Sequence, residues 1–287
     1  MIRHGQTVFN SGDRHQGWGP VSLSEKGFAQ ADSARKCVEN IQFDKIFVSD
    51  LLRTRQTAER IFPGKYKSGE LIFTEDLREI DTGVFYGKTF DEVYPRYGET
   101  YVDCRRRMDF SPLGGESSET VVKRAAYFLK KVEQLSTITR QNSLETEKID
   151  RAESDPEAKI EPLTRKIDTE KPSSEKTERA ESDPEAKIEL LTRKSDAEMP
   201  SNGKNELYAK QANRDDEQDC VNEMKIAAVT HGGVIRAAAA WILGFPEDYP
   251  FGFVPIKIAN CSVSVFKFDE TSREWQIELL DYTGKLV

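Results

Sequence analysis

Three histidines occur in the chain, His4, His15 and His231, and two of them share a setting. His4 lies in Arg3-His4-Gly5-Gln6-Thr7 and His231 in Val229-Thr230-His231-Gly232-Gly233, each where a β-rich run gives way to a loop. A single histidine beside glycine is more often structural, but two of the three in that place point to a site. Arg3 and Arg53 offer planar guanidinium forks that match two phosphate oxygens at once. Gly5, Gly232 and Gly233 let backbone approach a ligand closely. A helix starting at such a glycine adds N–H donors and a favourable dipole. The chemistry these residues suit is the handling of a small anion.

The elements that must position them alternate. Ser24 to Asn40 is predicted as a helix, with Ser24 as its cap and Glu25 in its first turn. Phe43 to Ser49 is a short β-rich run, followed by a helix from about Leu51 to Phe62 that Pro63-Gly64 stops. A brief strand is expected at Leu71 to Phe73 and a long amphipathic helix at Glu116 to Leu135. Lys225 to Thr230 reads as a fully buried strand feeding a helix at Val234 to Leu243. Strands at Ala259 to Phe268 and Trp275 to Tyr282 close the chain around the turn Asp269 to Arg273. This alternation predicts an α/β fold, a three-layer α/β/α sandwich with a mostly parallel sheet. In such a sheet ligands bind beyond the carboxyl ends of the strands, where His4, Ser49, Arg53 and His231 would converge.

The composition is that of a normal domain diluted by something else. Hydrophobic residues make up 37% of 287, charged residues 32%, and the net charge is −8. Residues 136–224 hold 15 Lys/Arg against 23 Asp/Glu and only one aromatic, Tyr208, so the remainder is neutral. Within them Arg151 to Lys166 and Arg179 to Lys194 are near-identical copies, differing only at Pro162 and Leu190. Two polar copies broken by Pro156 and Pro184 cannot bury a solenoid core. The stretch is expected to be a disordered, duplicated insertion between two parts of one domain, at 1–135 and 225–287. Cys37, Cys104, Cys220 and Cys261 show no metal-like spacing, and no apolar run suggests a membrane. An acidic chain without a basic stripe interleaved with aromatics argues against nucleic acid. A reducing, cytoplasmic setting is the expectation.

At the level of motifs the chain resembles the histidine phosphatase superfamily, which includes the cofactor-dependent phosphoglycerate mutases. Arg3 to Asn10 with Arg14-His15-Gln16-Gly17 is similar to its opening signature, and Ser49 to Ala58 to its second motif. Leu77-Arg78-Glu79-Ile80-Asp81-Thr82-Gly83 resembles the segment carrying its acid, and Gly114 to Ser117 and Val229 to Gly232 the last two motifs. The resemblance implies that His4 attacks phosphorus to give a phosphohistidine. It implies that Arg3, Arg53, Asn10 and His231 hold the phosphoryl oxygens. It implies that Glu79 protonates the leaving oxygen and then activates water. Gln16, Gly17 and Gly232 would line the phosphate and substrate side, and no metal or other cofactor is called for. Glu116 reads either as a phosphate-side contact or as a first-turn acid, and His15 as a partly exposed loop residue. Arg105 to Arg107 could face solvent or a multiply charged substrate.

The expected substrate is a small phosphorylated metabolite, and a partner for the insertion is left open. A mutase using the same histidine is the rival enzyme. The roughly 26 residues between Lys88 and Gly115 favour the compact phosphatase branch. A non-catalytic phosphate-binding scaffold is the rival outside enzymes. One departure from the family pattern stands out: only Met1 and Ile2 precede Arg3, too few to cross a sheet at about 3.3 Å per residue. The expectation is a truncated or replaced first strand and reduced stability.

Overall fold

The computed structural model describes residues 1–154 and 223–284. Six strands form one sheet in the order β3-β2-β4-β1-β5-β6. They are β1 (Ile2–Arg3), β2 (Lys45–Ser49), β3 (Leu71–Thr74), β4 (Ile226–Thr230), β5 (Val263–Asp269) and β6 (Glu274–Tyr282). The four from β3 to β1 run parallel, and β5 and β6 are antiparallel. The helices are α1 (Glu25–Val38), α2 (Leu52–Ile61), α3 (Pro63–Ser68), α4 (Phe90–Arg107), α5 (Ser118–Ser154) and α6 (Gly232–Ile242).

The period of the buried strands explains the three layers. Successive side chains point to opposite faces, so Ile46 and Val48 join Ala31, Ala34, Ala58 and Ile61 of α1 and α2. Phe47 points the other way, into a larger core with Val121, Ala125 and Phe128 of α5 and Val234 and Ala237 of α6. There the Phe47 and Phe128 rings meet edge to face at 5.3 Å. Small residues set the spacing: Ala237, Ala238 and Ala240 are fully or almost fully buried, letting α6 lie close to α5 and the sheet. The predicted α/β sandwich is therefore the observed one.

The predicted stop at Pro63 holds: α2 ends at Ile61 with Phe62 as its cap, and Pro63 opens the separate short α3 at its first turn, where its missing N–H costs nothing. Helix α4 was not foreseen, although Thr89 and Glu92 form a full capping box at its start. Pro95 and the non-helical Gly98 (φ 47°) interrupt it and hide its periodicity. The two-residue β1 occupies the middle of the sheet, pairing with Val229 and Thr230 on one side and with Val263 on the other. His4 N–H extends it by donating to the Thr230 carbonyl at 2.9 Å. Helix α5 continues past Leu135 to Ser154, so the opening of the predicted insertion is helical. The remainder of that insertion, including most of the repeat, lies outside the described residues. Among the described residues no helix is long and apolar enough to cross a membrane.

Candidate active site

Adjacent parallel strands bring three functional groups side by side. β2 ends at Ser49, β4 at Thr230 just before His231, and β1 at Arg3 just before His4. β3 ends at Thr74, and the short turn Glu75–Leu77 then carries the chain to Glu79. All these ends lie on the carboxyl edge of the sheet, where α/β folds place ligands.

His4 is 2% exposed and its Nδ1 lies 2.7 Å from the Gly5 carbonyl. A carbonyl can only accept, so Nδ1 carries the proton and Nε2 keeps a free lone pair. Burial, then the charges of Arg53 and Arg3, hold the ring well below the ordinary histidine pKa. The imidazole is thus neutral at physiological pH. The ring of His231 lies 5.1 Å away, centroid to centroid, and its Nε2 meets the Ser49 hydroxyl at 2.9 Å. Burial and then Arg53 lower its pKa in the same way.

Two guanidinium groups complete this end. Arg53 is fully buried; its Nη2 donates to the Gly17 carbonyl at 2.9 Å and its Nη1 to that of Gly19 at 3.4 Å. Desolvation lowers its pKa to about 10, which still leaves it charged. Arg3 donates to the Ile258 carbonyl. Among the described residues four buried side-chain polar atoms lack a partner: Arg3 Nε, Arg53 Nε, His231 Nδ1 and Thr82 Oγ1. Buried polar groups are nearly always satisfied, so three unpaired nitrogens gathered around His4 suit an anion with several acceptor oxygens.

Glu79 is held by its carboxylate and by its backbone. Oε1 accepts from the Ile80 N–H at 3.0 Å and Oε2 from the Gly233 N–H at 3.3 Å. The segment beneath it is clamped by Arg124, which donates to the Asp76 and Arg78 carbonyls at 3.1 and 2.9 Å and pairs with Glu116 at 2.9 Å. Glu116 Oε2 in turn accepts from the Asp81 N–H at 3.0 Å. Glu116 therefore sits behind the Glu79 segment and does not line the cleft. The Trp18 indole donates to the Glu79 carbonyl at 2.7 Å. A Cβ on Gly233 would lie 2.1 Å from Glu79 Oε1. Gly233→Ala should consequently push the carboxylate aside. The expected result is a fall in kcat of about 10²-fold, typical of losing proton transfer, with thermal unfolding changed by no more than a few degrees.

The cleft above these groups has a volume of about 180 Å³. Of the predicted site residues, Arg3, His4, Gln16, Gly17, Arg53 and Glu79 line it. Gly17 adopts φ +46°, a conformation that favours glycine. His231 lies behind His4, and Gly232 is beside the Arg3 side chain, 3.3 Å from Arg3 Nε to an added Cβ. Asn10 does not line the cleft; its Oδ1 accepts from the Thr7 N–H and hydroxyl, both at 3.1 Å. The far wall was read only in part from the sequence: Arg14, His15, Thr82 and Arg105 all face this space, and of these only the Arg105 to Arg107 run offered a substrate-facing reading. His15 meets the Tyr101 hydroxyl, and burial with the nearby Arg105 lowers its pKa to about 4. The first of the three arginines was the available signal, since only it lines the cleft while Arg106 pairs with Asp103.

These histidines set a pH dependence of stability. All three have a folded pKa below the unfolded value near 6.5. Below pH 6.5 the unfolded chain binds more protons than the folded one, so acidification favours unfolding. For His15 the window runs from about pH 6.5 to about 4. Tm measured between pH 7.5 and 5 is expected to fall steadily, and His15→Gln to flatten part of that slope. A Tm independent of pH, or a slope unchanged in the variant, contradicts this account.

Two histidines and two arginines thus gather at the carboxyl edge of the parallel part of the sheet in this α/β protein. The chain belongs to the histidine phosphatase superfamily (branch 1), whose family model matches residues 1–139 and 150–282. It is 35% identical over 133 residues to fructose-2,6-bisphosphatase TIGAR B of Danio rerio, covering 45% of this chain and 51% of that protein. It is 33% identical over 135 residues to 2,3-bisphosphoglycerate-dependent phosphoglycerate mutase 2 of Gloeobacter violaceus, covering 46% and 62%. The chain thus spans about half to three fifths of these relatives. The fold matches the solved alpha-ribazole phosphatase of Shigella flexneri at TM-score 0.60 and 15% identity, covering 100% of this chain and 96% of that one.

Proposed function

We propose that this chain hydrolyses small phosphate monoesters through a phosphohistidine on His4. The observation that carries the reading is the hydrogen bond from His4 Nδ1 to the Gly5 carbonyl, which leaves Nε2 with its lone pair free in a pocket rich in positive charge. In the first step Nε2 forms a bond to phosphorus, the ester P–O bond breaks, and Glu79 gives its proton to the departing oxygen. In the second step Glu79 takes a proton from water, whose oxygen bonds to phosphorus as the P–N bond breaks. Inorganic phosphate leaves and His4 returns to its starting state. Arg3, Arg53 and His231 stabilise the equatorial oxygens by fixed charge and donors, which is the main demand of phosphoryl transfer.

Hydrolysis is favoured over transfer back to product by the compact connection from Lys88 to Gly115, which holds only the kinked α4 and one short turn. This compact connection is what the phosphatase branch resembles. The test is to quench the protein in alkali during turnover and locate the phosphoryl group by mass spectrometry. An alkali-stable, acid-labile adduct on the His4 peptide, with phosphate released in solution, is the expected outcome. Turnover with the adduct on another residue overturns the mechanism; an adduct with no phosphate release turns the reading to a mutase.

A further inference from the structure

Trp18 is 40% exposed, yet both its ring and its N–H are engaged. The ring lies 4.8 Å from the Arg78 guanidinium carbon, and the indole N–H donates to the Glu79 carbonyl at 2.7 Å. Arg78 is itself fixed by a two-pronged pair with Asp50, at 2.8 and 2.5 Å. A phenylalanine would cover Arg78 as well, so the ring N–H is what tryptophan adds. That donor grips one half of a rigid unit. The Glu79 carbonyl and the Ile80 N–H belong to one peptide group, planar and trans, so the two point in opposite directions. The Ile80 N–H is the donor that holds Glu79 Oε1 at 3.0 Å. Fixing the carbonyl therefore fixes the direction of the N–H that aims the carboxylate.

We infer that Trp18 is a positioning residue for Glu79, setting through the 79–80 peptide group where the acid sits against the leaving oxygen. The inference rests on the phosphomonoesterase reading. The residues on either side of Trp18 tie the same loop to the phosphate end, since the carbonyls of Gly17 and Gly19 both receive Arg53. A Cβ on Gly17 would lie 3.1 Å from the Thr82 nitrogen, so this loop rests directly on the segment that follows Glu79. Without the indole donor the 79–80 peptide group is free to rotate, and the Ile80 N–H no longer faces Oε1. The Gly233 N–H, at 3.3 Å from Oε2, then holds the carboxylate alone. Arg53 keeps its backbone acceptors and its charge. The loss therefore falls on proton transfer, which counts for more the poorer the leaving group.

The ratio of kcat/KM for phenyl phosphate to that for p-nitrophenyl phosphate reads this role. kcat/KM covers the steps up to departure of the phenol, and the less acidic phenol needs the proton more. In Trp18→Phe the ratio is expected to fall about fivefold, the effect of one neutral hydrogen bond, with Tm within a few degrees of the parent. An unchanged ratio, whether the two rates fall together or not at all, or a variant that does not fold, makes Trp18 a part of the fold and overturns the inference. A parent that takes only the nitrophenyl ester has no working acid to position, which overturns it as well. If the parent hydrolyses neither ester, the phosphatase reading has failed, and NMR then decides on Trp18. The Ile80 amide resonance should follow the titration of Glu79 in the parent and lose that dependence in Trp18→Phe. An Ile80 amide that titrates alike in both proteins, or in neither, overturns the role.

Discussion

Replacing His4 with alanine is expected to stop phosphate release from an aryl phosphate assayed with a chelator present, and to leave no trapped adduct. Loss of a nucleophile that works as a unit with its partners costs on the order of 10⁴- to 10⁶-fold in kcat. No other described side chain can take its place. His231 is held against Ser49 through Nε2 and has its other ring nitrogen buried, so it cannot swing to phosphorus. His15 sits across the cleft at the Tyr101 hydroxyl. The variant should fold, because His4 gives its side-chain hydrogen bond only to its neighbour's carbonyl and its backbone ladder to Thr230 is retained. Residual turnover above a hundredth of the parent rate would mean that phosphorus is attacked by water or by another group.

The second large effect is at Arg53. Arg53→Met should lower kcat/KM by about 10³- to 10⁵-fold, the range for an arginine that stabilises the charge of a transferring phosphoryl group. Arg53→Lys should recover little of it, since a point charge cannot hold both the Gly17 and Gly19 carbonyls and a phosphate oxygen. Stability should move differently. Burial lowers the Arg53 pKa from the ordinary arginine value to about 10, so the folded state disfavours this charge relative to the unfolded chain. Each pKa unit corresponds to about 1.4 kcal/mol, which offsets much of what its two hydrogen bonds contribute. Tm in Arg53→Met is therefore expected to stay within a few degrees of the parent or to rise. A collapse of the fold together with activity would assign Arg53 to architecture, whereas retained activity would remove it from the phosphate end.

Much of the site was legible because it depends on residue types at strand ends. Arg3-His4-Gly5, Ser49 to Arg53, Glu79 and Val229 to Gly232 could be placed on one edge as soon as the strands were taken as parallel, since that edge follows from topology alone. The caps at Ser24 and the period of Ile46, Phe47 and Val48 are local and short in range, so the helix and strand they mark were readable too.

What the chain order could not convey was which side chains meet across elements. The clamp of Arg124 and Glu116 on the Glu79 segment joins positions far apart in sequence, and from sequence Glu116 read either as a phosphate-side contact or as a first-turn acid. The far wall of the cleft depends on how the kinked α4 is laid against Arg14 and His15. Arg105 therefore could not be told from Arg106 by spacing. The central position of the two-residue β1 was likewise decided by its neighbours, since β4 and β5 supply the ladder on its two sides. The sequence by itself determined the α/β class, the anion chemistry and the residues at the strand ends, because those are properties of local pattern. The neutral tautomer of His4, the unpaired nitrogens around it and the orphaned Thr82 hydroxyl were decided only by tertiary structure, because burial and partnering exist only once distant segments have closed on one another.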